Sequence, residues 1–593
     1  MLALKVLCVL YLATVFNHAP FGTTYPVPEE HYLIESEGIL NNLRAHIGWR
    51  NLTCPLCKAL FAAVDVALWS EKNEERVAAL AAKVCIQLHL ADHKVCTDIT
   101  ELFKSDLLSV LLRSFLRPDE VCALLVGPDC GHFDIYSSWN VSLPQVPKPP
   151  VVPLSPPKPG APTSRVLFLT DVHWDHDYAE GSNAECKEPL CCRNESGSPH
   201  WHQRGAGYWG SYSKCDLPLH TVENLLQHVA STGPWDWVYW TGDIPAHNIW
   251  AQTRSQQLLE LSGITQLIRK YLGNIPVYPA VGNHESTPVN SFPPPFIHGN
   301  RSSTWLYDRM AEEWSAWLPP QALQTLRWGG FYSVEVQPGL RMVSLNMNFC
   351  AHENFWLLIN STDPADQLQW LIGILQESEN NGEKVHIIGH IPPGLCMKSW
   401  SWNYYHIVNR YESTITGQFF GHTHLDEFQM FYDEETLSRP LGVAFIAPSV
   451  TTYVNLNPGY RMYYVDGNYS GSSRLVLDHE THILNLTEAN NRTASPRWRL
   501  LYRAREAYGL ETLFPADWDG LIKTFLQDDR AFKNFWYLNH KGHVSEPCKD
   551  TCKTTVLCFL RSGRSGDPQL CDSLGSAVPY GDIVKSVKLR AMC

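Results

Sequence analysis

The sequence predicts an α/β core flanked by helices, preceded by a small all-α unit and followed by a helical, disulfide-containing region. Three observations predict it. From Arg165 onward, short apolar runs alternate with segments of helical periodicity, as sheets covered by helices require. Between residues 45 and 133, six cysteines are interleaved with apolar residues at three- and four-residue spacing. Between these parts, residues 144–162 hold nine prolines, a composition that favours extended polyproline II and behaves as a semi-rigid spacer.

The N-terminus opens Met1-Leu-Ala-Leu-Lys5, continues with an apolar run from Val6 to Phe16 and turns small and polar near Ala19. That is the pattern of a secretory signal peptide, expected over residues 1–20, and the run is too short to span a bilayer. No later stretch is long and apolar enough to span either, so a secretory-pathway protein without a transmembrane segment is expected. Eight Asn-x-Ser/Thr sequons, at Asn51, Asn140, Asn194, Asn300, Asn360, Asn468, Asn485 and Asn491, suit a glycosylated lumenal protein. Of 18 cysteines, Cys8 would leave with the signal. The other 17 sit in tight clusters, as a disulfide framework in an oxidising compartment requires. The odd count leaves one over, and Cys593, the last residue, is the candidate.

Hydrophobic residues make up 44% of the 593 and charged residues 18%, enough for several buried cores. The formal charge is −13 with neutral histidines, of which there are 25. An imidazole titrates near 6.5, so an acidic lumen would bring the net charge toward zero or above and favour anionic membranes only at low pH. No nucleic-acid partner is expected, and the chain is expected to be a monomer.

The first unit, 45–133, carries Cys54, Cys57, Cys85, Cys96, Cys122 and Cys130. Helical spacing recurs at Leu56, Leu60, Ala63, Val64, Ala67 and Leu68, at Val77, Leu80, Ala81 and Val84, and at Leu102, Leu107, Leu108, Leu111 and Leu112. A linker is expected over 134–163 and the α/β core over 164–475. Strands are read at Val166–Thr170, Trp237–Trp240, Val277–Val281, Met342–Leu345, Val385–Ile388, Gln418–Phe420 and Val443–Ile446, with helices near 221–230, 253–272 and 366–380. From 476 to 593 the pattern is read as helical, at Trp498–Tyr508 and Trp518–Leu526, closing with Cys548, Cys552, Cys558 and Cys571.

Five of the strands run into polar clusters: Asp171-Val-His173, Gly242-Asp243, Gly282-Asn283-His284-Glu285, Gly389-His390 and Gly421-His422-Thr423-His424. Each alone is weak, since a Gly-Asp after a strand is usually a turn and a lone Gly-His usually a structural loop. Together, in order, they deliver Asp, Asn and His beyond the carboxyl ends of strands, where α/β proteins build their sites. Mixed imidazole and carboxylate donors suit zinc, manganese or iron.

The ordered set resembles the five blocks of the calcineurin-like metallophosphoesterases, and all five are intact. The resemblance implies a two-sheet sandwich and a two-metal centre. Asp171, His173 and His424 would hold one ion, Asn283, His390 and His422 the other, and Asp243 would bridge them. Two such cations activate a water for in-line attack on phosphorus. A related branch places an iron-favouring tyrosine three residues after the Gly-Asp aspartate; Ala246 stands here, which implies two Zn2+ instead. His284 is the family's general acid. His247 either shares that task, binds a phosphate oxygen or is merely structural. Glu285 is read as orienting a histidine ring.

The six N-terminal cysteines resemble a saposin domain, a lipid-binding helical bundle. Saposin domain, proline-rich linker and phosphoesterase in one chain resemble the acid sphingomyelinase family, through stretches such as Phe168–Tyr178, Tyr239–His247, Tyr278–Pro288 and Gly417–His424. That resemblance implies sphingomyelin hydrolysis to ceramide and phosphocholine at a membrane, anionic in a lysosome, with lysosomal and secreted location. It implies disulfides Cys54–Cys130, Cys57–Cys122, Cys85–Cys96, Cys186–Cys191, Cys192–Cys215, Cys350–Cys396, Cys548–Cys552 and Cys558–Cys571. The aromatic run Trp400-Ser-Trp-Asn-Tyr-Tyr405 is read either as lining the site mouth, where rings would attract a choline ammonium, or as core.

Overall fold

The computed structural model describes residues 54, 58, 74–87, 89–111, 113–114, 139–491, 496–549, 551–572 and 574. The expected leader, the sequon at Asn51, Cys593, and the pairs Cys54–Cys130 and Cys57–Cys122 lie outside the described residues. The chain divides into two compact units, Met1–Ser138 with Phe355–Ser361, and Trp139–Asn354 with Thr362–Cys593.

In the first unit, helices α1 (Glu74–Gln87) and α2 (His93–Leu111) pack against each other. The Cys85–Cys96 disulfide ties them across a short turn. Their apolar residues fall on one face, so Ala81, Val95, Ile99, Phe103 and Leu107 are buried.

The second unit is built on two six-stranded mixed sheets. The first contains β1 (Thr163–Leu169), β2 (Trp237–Trp240), β3 (Val277–Pro279), β10 (Gly459–Asp466), β11 (Val476–Leu484) and β12 (Trp498–Arg503). Its order is β12-β11-β10-β1-β2-β3, with β1, β2 and β3 parallel and the rest antiparallel. The second contains β4 (Tyr332–Gln337), β5 (Leu340–Ser344), β6 (Lys384–Ile388), β7 (Ile415–Phe420), β8 (Glu427–Tyr432) and β9 (Pro440–Ile446). Its order is β4-β5-β6-β7-β9-β8, parallel from β5 to β9 with antiparallel edges. The sheets face each other through aromatic side chains. Phe419 of β7 lies 5.3 Å from Tyr239, 6.4 Å from Phe168 and 4.9 Å from Tyr463, ring centre to ring centre. The Tyr239 hydroxyl also meets His386 Nδ1 at 2.9 Å across the sandwich.

Helices α3 (Leu219–Thr232) and α4 (Arg254–Leu272), α5 (Thr304–Trp314) and α6 (Pro320–Gly329), α7 (Gln367–Asn381) and α8 (Lys398–Arg410) flank these sheets. Thr253 N-caps α4 and Gly330 ends α6 in the left-handed conformation. Further on come α9 (Ala504–Tyr508), α10 (Pro515–Gln527), α11 (Asp529–Asn539) and α12 (Thr551–Arg561). Trp518 of α10 sits 4.4 Å from Phe428, and Arg561 of α12 stacks on Tyr432, so these helices cover β8 and β9.

Two readings need correction. Residues 498–508 are not one helix: Trp498–Arg503 is the edge strand β12, and only Ala504–Tyr508 is helical. The first sheet therefore continues past residue 475. The run Trp400–Tyr405 does not line a site mouth: it lies in α8, with Trp400, Tyr404 and Tyr405 fully buried, because three large rings gain more from burial than from exposure. The segment that leads into the proline-rich stretch belongs to the second unit and is tied into it. Ser142 and Gln369 exchange two hydrogen bonds of 3.0 Å, Asn403 accepts from Val141 N–H and donates to the Trp139 carbonyl, and Lys148 pairs with Glu412.

Six of the expected disulfides are present: Cys85–Cys96, Cys186–Cys191, Cys192–Cys215, Cys350–Cys396, Cys548–Cys552 and Cys558–Cys571. Asn140, Asn194, Asn300, Asn360, Asn468 and Asn491 are exposed. Asn485 is half-buried, and its side chain accepts from Glu488 N–H as a helix cap.

Candidate metal centre

Each polar cluster leaves the carboxyl end of its strand. Asp171 and His173 follow β1, Asp243 follows β2, Asn283 to Glu285 follow β3, His390 follows β6, and His422 and His424 follow β7. All seven expected ligands are buried. Five of them hold left-handed backbone: Asp171 (φ 51°), His173 (41°), Asp243 (56°), His422 (73°) and His424 (61°). Such a conformation costs a side-chain-bearing residue roughly 1–2 kcal/mol. Clustered outliers of this kind are characteristic of sites whose surroundings hold them in place. Gly421 shows why the turns need glycine: a Cβ there would lie 2.1 Å from Thr170 Oγ1 and 2.6 Å from Asp171 Oδ2.

The donors converge in two groups, each with its ligand atoms within 4.8 Å of one another: Asp171, His173 and His424, and Asp243, His390 and His422. Asn283 joins the second, its Oδ1 3.1 Å from His422 Nδ1. Asp243 Oδ2 lies between the groups, 3.0 Å from His390 Nε2 and 3.5 Å from His173 Nε2. Backbone acceptors fix the imidazoles. The Nδ1–H groups of His173, His390 and His424 donate to the carbonyls of Pro245 (2.7 Å), Thr241 (2.7 Å) and Tyr453 (2.6 Å). Their Nε2 lone pairs are thereby aimed at the centre, as metal-binding histidines require.

A cation fits this arrangement. Asp243 Oδ2 is buried without a hydrogen-bond donor. Burial resists charge on Asp243, yet His390 and His284 outweigh it and hold the carboxyl well below 3.8. For His390 burial is likewise overcome, by Asp243 and Asp171, which push its pKa up to about 10. Anionic oxygens that draw a proton onto a buried imidazole would equally draw a divalent cation in its place.

His284 and His247 sit beside His173, one nitrogen of each of the three rings within 4.8 Å of the others. Burial pulls His284 down to about 4, and its backbone N–H donates to Asp243 Oδ1 at 2.9 Å. His247 Nδ1 lies 2.9 Å from Asp216 Oδ1, and its ring stacks on Tyr453 at 4.0 Å. Thr451 Oγ1 donates to the same carboxylate at 2.9 Å. Asp216 had no signal in the sequence, standing alone after Cys215. Glu285 orients no imidazole: it accepts backbone N–H groups from Gly282, Asp243 (3.1 Å) and Ile244 (2.7 Å), because the adjoining turns leave those donors unpaired inside the protein.

Among the described residues no helix is long and apolar enough to cross a membrane. Residues 164–426 match the calcineurin-like phosphoesterase family, and 439–563 match the acid sphingomyelin phosphodiesterase C-terminal region. Over 566 residues the chain is 60% identical to a sphingomyelin phosphodiesterase of Homo sapiens, covering 95% of this chain and 89% of that one. Over 569 residues it is 59% identical to one of Bos taurus, covering 96% and 91%. A cyclic GMP-AMP phosphodiesterase of Rattus norvegicus is 31% identical over 431 residues, 69% of this chain and 92% of that one. With such identity along nearly its whole length, the chain belongs to the sphingomyelin phosphodiesterase family of metallophosphoesterases.

Proposed function

We propose that the chain is a zinc-dependent phosphodiesterase that hydrolyses sphingomyelin to ceramide and phosphocholine at anionic membrane surfaces in an acidic compartment, the lysosome, and after secretion. The observation that carries this reading is the convergence of seven donors from five strand ends, in a chain 59–60% identical to proteins named for that reaction. Asp171, His173 and His424 would hold one zinc ion and Asn283, His390 and His422 the other, with Asp243 between them. When bound, the pair supplies Lewis acidity toward the phosphate oxygens and lowers the pKa of water.

The chain's own side chains do the rest. The Asp216 carboxylate accepts the Nδ1 proton of His247, and its negative charge supports a second proton on the opposite nitrogen, which would donate to a phosphate oxygen. His284 donates a proton to the ceramide oxygen as its bond to phosphorus breaks, which avoids an alkoxide leaving group. The carbonyls of Pro245, Thr241 and Tyr453 hold three imidazoles in one tautomer throughout.

Phosphocholine release from sphingomyelin liposomes at about pH 5, where an acidic lumen operates, tests the reading, with and without a zinc chelator and with Asp243→Ala in parallel. Release that is chelator-sensitive and absent in the variant is expected. The likeness to a cyclic dinucleotide phosphodiesterase motivates the second reading, a soluble nucleotide substrate. Chelator-sensitive cleavage of a cyclic dinucleotide with no release from liposomes would replace the lipid assignment by that one.

A further inference from the structure

The segment Ser449–Tyr453 binds together the parts of the centre that come from different strands. Val450 N–H donates to the Thr170 carbonyl at 3.0 Å and Thr451 N–H to the Asp171 carbonyl at 2.9 Å, both beyond β1. Ser449 N–H donates to the His424 carbonyl at 3.3 Å, beyond β7 of the other sheet. Tyr453 supplies the carbonyl that fixes His424 and the ring that stacks on His247, and Thr451 holds Asp216. This bracket is itself held by a residue 90 positions away. Lys541 Nζ donates to the Ser449 carbonyl (2.9 Å), to Ser449 Oγ (2.7 Å) and to the Thr451 carbonyl (3.0 Å). Three oxygens thus surround the one nitrogen.

Lys541 is fully buried, which is rare for lysine. It stands at φ 54°, in the turn after α11, where a side-chain-bearing residue is strained. Gly459 clears its path: a Cβ there would lie 3.0 Å from Lys541 Cδ. The Lys541 carbonyl is fixed in turn by Asn457 Nδ2 at 2.9 Å. A buried lysine, a strained backbone and a matching glycine all serve one contact.

We propose that Lys541 is a positioning residue of the metal centre: through Ser449 and Thr451 it sets the bracket that orients His424, Asp216 and His247. It touches neither substrate nor metal. The inference rests on the phosphodiesterase reading above.

The test uses the full chain and the variants Lys541→Met, Lys541→Arg and Ser449→Ala. Zinc affinity is read by competition with a chelating dye, thermal unfolding by calorimetry, and kcat and KM on both sphingomyelin liposomes and a soluble aryl phosphodiester. For Lys541→Met, zinc affinity and kcat are expected to fall about 10- to 100-fold, the range for losing a residue that orients a ligand, with KM unchanged. Ser449→Ala, which removes one acceptor and keeps the lysine, should show smaller losses in the same readouts if Lys541→Met does not fold. Combining Lys541→Met with Asp216→Asn should lower kcat no further than the worse single change. Wild-type zinc affinity and kcat in folded Lys541→Met and Ser449→Ala, with only the unfolding temperature lowered, would show a structural strut and overturn the inference. Additive losses in the double variant would overturn it too. Activity on the soluble diester alone would count against the lipid substrate and leave the Lys541 result to be read on that diester.

Discussion

Asp216, held by Thr451, sets the protonation of His247, and a single atom change exposes that. Asp216→Asn keeps the shape but removes the negative charge that supports a second proton on the His247 ring, and with it the donor that faces the phosphate. We expect kcat to fall about 10- to 100-fold with zinc content unchanged, checked by steady-state kinetics beside metal analysis. His386 reports on a different quantity. It bridges the sheets between Tyr239 and the Arg474 carbonyl, and burial pulls its pKa down to about 4. An unfolded histidine binds a proton near 6.5, so the unfolded chain takes one up first as the pH falls. Stability from this site is therefore full above pH 6.5 and declines toward pH 4, by roughly 2 kcal/mol at pH 5. His386→Gln cannot titrate, so the difference between its unfolding temperatures at pH 7 and pH 5 should be smaller than in the unchanged chain. An equal difference would mean that His386 does not carry this term.

The turns after β2 and β3 are held to each other by one side chain. Glu285 takes three buried N–H groups, from Gly282, Asp243 and Ile244, and burial, then Asp243, raises its pKa to about 7. Glu285→Ala would strand those donors at about 1–3 kcal/mol each. A fall in unfolding temperature together with zinc affinity is expected, whereas a fall in temperature alone would show that Asp243 keeps its place unaided. Much of this was legible in the sequence because strand, glycine and ligand adjoin: β1, β2, β6 and β7 are apolar runs that end at their motif. What stayed hidden were elements whose polar residues are paired at long range. Strand β11, Val-Leu-Asp-His-Glu-Thr-His-Ile-Leu, shows no apolar alternation, yet Glu480 is matched by Arg503 and Tyr464, and Thr481 by Asp426. Strand β12 reads as helix because Trp498, Leu501 and Tyr502 fall at helical spacing. Asp216, Thr451 and Lys541 carry no local pattern at all; only the folded chain brings them to His247 and its neighbours.

At the scale of the whole chain, charge is the property that changes most between a neutral and an acidic compartment. The formal −13 assumes neutral histidines, and protonation of about half of the 25 would cancel it. The buried ones take little part: burial holds His284 and His386 near 4 and His422 near 3. His89, His93, His176, His202, His298 and His406 are exposed, and Glu434 beside His406 raises its pKa, so that ring charges early as the pH falls. Each added positive charge near an anionic bilayer contributes about 1 kcal/mol, so a few suffice to change partitioning tenfold or more. The full chain should therefore bind phosphatidylserine vesicles weakly at pH 7.5 and at least about tenfold more tightly at pH 5, measured by co-sedimentation. The gain should shrink in high salt, which screens the attraction, and be absent for vesicles of phosphatidylcholine alone. Binding to anionic vesicles that does not depend on pH would remove charge as the means of membrane attachment and leave apolar contact to supply it.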